Sequence, residues 1–309
     1  MKILITGVTG FVDRHVLRAL ASDQSNELYG TTLSKHENDQ FEGLLLKNLL
    51  EVDLTQKESV AELIRSVQPD QIYHLASIAF GGNSFDDPQS IMHNNVQLQV
   101  NMLDAVRHHA PNAKILVVSS ADVYGRIEPV DLPINESQPR RPTNPYGVSK
   151  ATQEMLAFAY HHTHNLQIIV ARPFNHIGKG QHPLFVVPNF LDQLHKLKLG
   201  EIQELRVGNL SSARDYSDVR DVVQAYQLLM SKGKVGEVYN IASGTAVKTE
   251  ELLQVLAKAV GVSPKYSQDP TRVRPNEIAE VRGDASKIKS LGWAPRFSLQ
   301  ETIAELVSE

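Results

Sequence analysis

A five-residue apolar run, a glycine turn and a helical stretch follow one another over residues 2–21, and this strand-then-helix alternation recurs through the first half of the chain. Lys2-Ile3-Leu4-Ile5-Thr6 is too short for a stable helix. It is apolar at nearly every position, as a parallel strand covered on both faces is. Gly7-Val8-Thr9-Gly10-Phe11-Val12-Asp13 follows, and residues 14–21 read as a helix. A strand that passes into a helix through a glycine turn aims backbone N–H groups at one spot, where a pyrophosphate can sit. The glycines are spaced G-x-x-G, and the third position of the pattern holds Asp13 instead of glycine. Two unit charges ~5 Å apart at an effective dielectric of ~20 repel by roughly 3 kcal/mol, so a carboxylate there opposes a bound phosphate unless its side chain points away.

The alternation continues with strands at Glu27–Thr32, 49–52, 71–76, Lys114–Val118 and 166–170, and helices at Lys57–Val67, 89–109 and 148–163. Alternating strands and helices imply an α/β fold, a Rossmann-type doubly wound parallel sheet with helices on both faces and a ligand crevice at the strand C-terminal ends. Residues 1–172 are expected to form this domain, with 214–241 returning to it and 173–309 forming a smaller α/β lobe. The loop 77–88, which leaves the fourth strand, is expected to line the crevice. At the end of the second strand a carboxylate would bind the ribose hydroxyls of NAD, but the run is Thr31-Thr32-Leu33-Ser34-Lys35-His36. Small hydroxyls and a lysine suit a 2′-phosphate, which favours NADP(H) over NAD(H). The alternative reading of Lys35 is a solvated loop residue.

The chemistry is concentrated in Asn144-Pro145-Tyr146-Gly147-Val148-Ser149-Lys150. On a helix, Tyr146 and Lys150 lie one turn apart on one face. A phenol titrates near ~10 and a neighbouring ammonium favours the phenolate, so the pair can trade a proton near neutrality. The fifth strand runs into Ser119-Ser120-Ala121-Asp122-Val123-Tyr124-Gly125, which places a serine hydroxyl where a third group beside Tyr146 is needed. The structural alternative is that both serines satisfy strand-end backbone groups.

Composition narrows the partners. A net charge of -4 over 309 residues gives no reason to expect nucleic acid or an anionic membrane, and the absence of cysteine excludes disulfides and thiolate metal sites. No run has the length of a signal peptide or membrane span, so a cytoplasmic protein is expected.

With these motifs in order (residues 2–21, Asp53-Leu54, His74-Leu75-Ala76, Ser120, Tyr146 and Lys150) the chain resembles an extended short-chain dehydrogenase/reductase of the NAD-dependent epimerase/dehydratase family. The resemblance implies a cofactor held by Gly7, Thr9, Gly10, Phe11 and Val12 in the turn, Thr32 and Lys35 after the second strand, and Asp53-Leu54. Further on it implies Leu75-Ala76-Ser77 and Pro173, with Tyr146 and Lys150 at the nicotinamide end. It further implies that Ser120 and Tyr146 bind the substrate oxygen while Lys150 holds the ribose and lowers the phenol.

Ala171-Arg172-Pro173-Phe174-Asn175-His176-Ile177-Gly178, Arg214-Asp215-Tyr216-Ser217-Asp218-Val219-Arg220-Asp221 and Arg274-Pro275-Asn276-Glu277 are similar to the nucleotide-sugar branch, nearest to GDP-mannose 4,6-dehydratases and GDP-4-keto-6-deoxymannose reductases. There, positions matching Asn175, Arg214, Arg274 and Glu277 grip the nucleotide diphosphate. Guanidinium forks suit diphosphate oxygens and a carboxylate suits ribose hydroxyls. Ser84 is a further substrate contact that the resemblance implies.

Such dehydratases take the C5 proton with glutamate in a Thr-x-Glu run. Here the run is Ser120-Ala121-Asp122, one methylene shorter. This favours NAD(P)H-dependent reduction of a GDP-4-keto-6-deoxyhexose to a GDP-6-deoxyhexose such as GDP-rhamnose, with Asp122 a secondary contact. A 4,6-dehydratase, a nucleotide-sugar 4-epimerase and a non-catalytic dinucleotide-binding protein remain as alternatives. In the family, helices matching 89–109 and 148–163 often form a dimeric four-helix bundle, so a homodimer is expected.

Overall fold

The computed structural model describes residues 1–34, 48–79, 84–273 and 278–308. Its elements in chain order begin β1 (Lys2–Thr6), α1 (Phe11–Ala21), β2 (Glu27–Thr32), β3 (Asn48–Glu51), α2 (Lys57–Val67), β4 (Gln71–His74), α3 (Pro88–His109), β5 (Lys114–Val118), α4 (Pro145–His164) and β6 (Gln167–Pro173). They continue with β7 (Asn175–Ile177), α5 (Val186–Lys198), β8 (Leu205–Val207), β9 (Ala213–Asp218), α6 (Val219–Lys232), β10 (Val238–Ile241), β11 (Ala246–Lys248), α7 (Thr249–Val260), β12 (Tyr266–Gln268), β13 (Glu280–Val281), α8 (Ser286–Lys289) and α9 (Leu299–Val307).

Seven parallel strands form the main sheet in the order β10-β6-β5-β4-β1-β2-β3. The chain winds outward from β1 to β3, then returns across β1 to β4, so the order reverses between β1 and β4. Ligand crevices open outside the strand ends at such a reversal.

Alternate residues of each strand feed opposite faces. Ile3 and Ile5 join Val16, Leu17 and Leu20 of α1 and Val222, Val223 and Tyr226 of α6 in one core. Leu4 joins Val60, Leu63 and Ile64 of α2 and the inner faces of α3 and α4 in the other. This two-sided burial explains the unbroken apolar strands. A third core lies among α5, α7, α9, β8 and β9. There β9 pairs antiparallel with β11 and parallel with β7 and β13.

Local chemistry fixes the helix that matters most. Asn144 accepts from the Gly147 N–H at 2.7 Å and Pro145 occupies the first helical position, which starts α4 one residue before Tyr146. Its end is closed by Asn165 in the left-handed conformation (φ 56°).

Candidate active site

The turn after β1 is built for close approach. Gly7 has φ +78°, and a Cβ there would sit 3.1 Å from Ala76 Cα. Its N–H donates to the Thr31 carbonyl and hydroxyl, both at 3.1 Å. Thr6 Oγ1 accepts from the N–H groups of Leu75 and Ala76, at 3.1 and 3.0 Å, and so ties β1 to the loop beyond β4. Behind it His74 Nδ1 meets Thr6 Oγ1 at 3.1 Å, and burial lowers the imidazole to about 3, leaving it neutral.

One cleft of about 1120 Å³ runs from this turn across the strand ends to the third core. It is lined at one end by Gly7, Thr9, Gly10, Phe11 and Val12, with Thr32, Asp53 and Leu54 beside them. Leu75, Ala76, Ser77 and Pro173 form its floor, and Asn175 and Arg214 stand at the far end. Ser120, Asp122, Tyr146 and Lys150 lie between the two ends. Thus most of the residues singled out from sequence meet in one cavity.

At the centre, Lys150 is buried and donates to the Val118 carbonyl at 2.9 Å, with its Nζ 5.9 Å from the Tyr146 ring centroid. Ser120 caps the short turn after β5, accepting from the Asp122 N–H at 3.1 Å, and it lines the cleft together with Tyr146. Asn144 donates its side-chain N–H to Asp122 Oδ2 at 3.3 Å. Burial pushes the Tyr146 phenol up, the Asp122 carboxylate adds to this, and the neighbouring Ser120 hydroxyl offsets it in part. Burial lowers Lys150 to about 7, against the pull of Asp13 and Glu154. The phenol is thus raised where the resemblance implied lowering by Lys150, and withdrawal from water decides the direction. Tyr146 is held as the neutral acid, the form that can give up a proton.

A family model for GDP-mannose 4,6 dehydratase matches residues 4–306. The chain belongs to this family. It is an enzyme of the extended short-chain dehydrogenase/reductase kind. It is 33% identical to the GDP-6-deoxy-D-mannose reductase of Pseudomonas aeruginosa, over 100% of this chain and 96% of that protein. The structure of RMD from Pseudomonas aeruginosa complexed with NADPH is similar with a TM-score of 0.87 at 32% identity, covering 99% and 97% of the two chains. UDP-glucose 4-epimerase from Thermotoga maritima with UDP-glucose matches with a TM-score of 0.88 at 25% identity, covering 100% and 98%.

Several expected residues of this dehydratase-family enzyme stand elsewhere. Ser84 is fully buried in the turn before α3 and is not among the described residues that line the cleft, which corrects its expected contact with substrate. Lys35, Arg274 and Glu277 lie outside the described residues. Asp53 faces the cleft, and its Oδ1 accepts from the Thr55 N–H and hydroxyl at 2.9 and 2.7 Å, which holds it ionised in a turn. Arg214 donates to the carbonyls of Ala213 and Ile278, both at 2.9 Å.

Sequence reasoning missed two features. Arg272 lines the cleft and donates to Asn189 Oδ1 at 2.9 Å; the Arg-x-Arg spacing of 272 and 274 was its only signal. The other is a buried polar network below Ser120. Glu154, one turn past Lys150, accepts from Arg172 Nε at 2.7 Å and Nη2 at 2.6 Å, and from the Ser119 hydroxyl at 2.5 Å.

Proposed function

We propose that this enzyme uses NADPH to reduce the 4-keto group of a GDP-4-keto-6-deoxyhexose, giving a GDP-6-deoxyhexose of the GDP-rhamnose type. The observation that carries the reading is the central cluster: Ser120, Tyr146 and Lys150 share the cleft with Asp122, an aspartate tethered by Asn144, where a dehydratase needs a longer base. A relative 33% identical over the whole chain that is named as such a reductase supports it.

The turn fits a dinucleotide. Gly7, at φ +78°, would hold a Cβ tightly at 3.1 Å from Ala76, and the N-terminus of α1 faces the cleft behind Gly10. The run Thr31-Thr32-Leu33-Ser34-Lys35-His36 at the end of β2 holds no carboxylate, which suits a 2′-phosphate, with Lys35 assigned to it. When bound, NADPH supplies the hydride. Ser120 and Tyr146 hydrogen-bond the substrate carbonyl oxygen, and Tyr146 gives it a proton as the alcohol forms. Lys150 offers charge to the resulting phenolate and holds the ribose. Asn175 and Arg214, with Arg272, Arg274 and Glu277, receive the nucleotide diphosphate. We assign 1–172 and the returning stretch α6–β10 to cofactor binding, and the remainder to the nucleotide sugar. Adding GDP-4-keto-6-deoxymannose to enzyme and NADPH should consume one cofactor per product; no consumption sinks the reading.

We assign the enzyme to the cytoplasm as a homodimer. Among the described residues no helix is long and apolar enough to cross a membrane. Val148 and Met155 stand exposed on α4, Met155 by 61%, beside α3. Such an apolar face suits a second copy of the chain. Light scattering should give twice the 34.3 kDa chain mass, and a stable species of one chain mass refutes the dimer.

A further inference from the structure

Asp13 stands where the glycine turn passes into α1, in the wall of the cleft. The residue is only 8% exposed, and its Oδ1 has no hydrogen-bond partner among the described residues. Its Oδ2 lies against Gly10, so close that a Cβ on that glycine would come within 2.1 Å of it. The carboxyl therefore sits under the turn, beside the helix N-terminus that would receive a pyrophosphate. The charged and titratable groups that face it are Lys150 from α4, Arg14 from α1 and Tyr226 from α6, whose buried hydroxyl is also without a partner among the described residues.

We propose that Asp13 couples dinucleotide binding to proton uptake: its neutral carboxyl form accepts the cofactor's pyrophosphate, and its ionised form repels it. The inference rests on the assignment of the turn to the cofactor. It removes the expected conflict between Asp13 and the phosphates at neutral pH, because the group that faces them there carries no charge. Burial raises the carboxyl to about 8, outweighing its own backbone N–H, Lys150 and Arg14, which all favour the ion. The sign follows. An anionic ligand raises this value further, so binding takes up a proton at pH above the free value. Affinity is flat below it and falls as pH rises through it. For a group titrating near 8, binding through the neutral form alone weakens about tenfold between pH 7 and pH 9.

Calorimetry of NADPH binding in buffers of differing ionisation enthalpy tests this. At pH 9 the wild-type enzyme should take up close to one proton more per NADPH than Asp13→Asn does. Its affinity should fall about tenfold more than the variant's between pH 7 and pH 9, and any uptake common to both arises from groups other than Asp13. Infrared difference spectra at pH 9 isolate the group. Adding NADPH to wild-type enzyme should create the carbonyl band of a neutral carboxyl, absent in Asp13→Asn. Equal uptake in the two proteins, or no such band in the wild type, overturns the proposal. Should Asp13→Asn fail to fold, Asp13→Gly, which only removes atoms, replaces it, and the wild-type band still decides. Failure of NADPH to bind at pH 7 would strike the cofactor assignment instead.

Discussion

Tyr146→Phe is expected to lower turnover by ~10²–10⁴-fold, the usual cost of losing a general acid, with NADPH binding retained. The ring stays and keeps its place on α4, because that helix is started by Asn144 and Pro145 and not by the phenol. What is lost is the neutral hydroxyl that burial preserves beside Ser120. Ser120 can still hydrogen-bond the substrate oxygen, but a serine hydroxyl is a far weaker acid than a phenol. Measured kcat should fall while the Kd for NADPH stays within a few-fold; turnover near the wild-type level would remove Tyr146 from the reaction.

The largest stability effect is expected below the site. Arg172 and Glu154 are 2% and 0% exposed and meet through two parallel hydrogen bonds. The Arg172 guanidinium also donates to Tyr124 at 2.9 Å and lies 4.9 Å from its ring, and Tyr124 donates to Asn240 Oδ1 at 2.6 Å. Asn240 in turn donates to the Ile134 carbonyl at 2.9 Å. The network joins α4, β5, β6 and β10, the elements that deliver Lys150, Ser120 and Pro173 to the cleft. Arg172→Met leaves the Glu154 charge buried with, among the described residues, Ser119 and the partly exposed Arg140 as hydrogen-bonding partners. Breaking one side of a buried pair costs about 3–5 kcal/mol, whereas replacing both sides by apolar groups is close to neutral. Chemical denaturation should show that loss for Arg172→Met and substantial recovery for Arg172→Met with Glu154→Leu. A loss under ~1 kcal/mol in the single variant would show that the pair contributes little.

The contrast between these two sites explains what could be read from sequence. Strand-turn-helix order and the Tyr146–Lys150 spacing are local patterns, and helix and strand periodicity turn them into geometry directly. The doubly wound sheet follows less directly: buried parallel strands alternating with helices also close into barrels, and it is the glycine turn after the first strand that points to the open sheet. The seventh strand, β10, is legible in the sequence only as the end of the stretch 214–241 that is expected to return to this domain. It enters the sheet beside β6 after a gap of some sixty residues, through a second lobe. The ionisation of the site was not legible either. Spacing says that Lys150 faces Tyr146, but the depth at which both are held depends on α3, α6 and the strand ends together, and that depth sets their protonation. Ser84 failed for a related reason: a serine on a crevice loop can turn inward, and no periodicity governs a loop.

The reductase assignment is tested most directly by two reactions on one preparation, with products separated by chromatography. Given GDP-4-keto-6-deoxymannose, the enzyme should oxidise NADPH mole for mole and yield a GDP-6-deoxyhexose, with NADH a poorer donor. Given GDP-mannose and catalytic NADP+, it should form little or no 4-keto-6-deoxy sugar, because Asp122 is one methylene short of the usual base and is tethered to Asn144. Asp122→Asn should retain much of the reduction. Efficient conversion of GDP-mannose, abolished by Asp122→Asn, would contradict the account and make this enzyme a dehydratase.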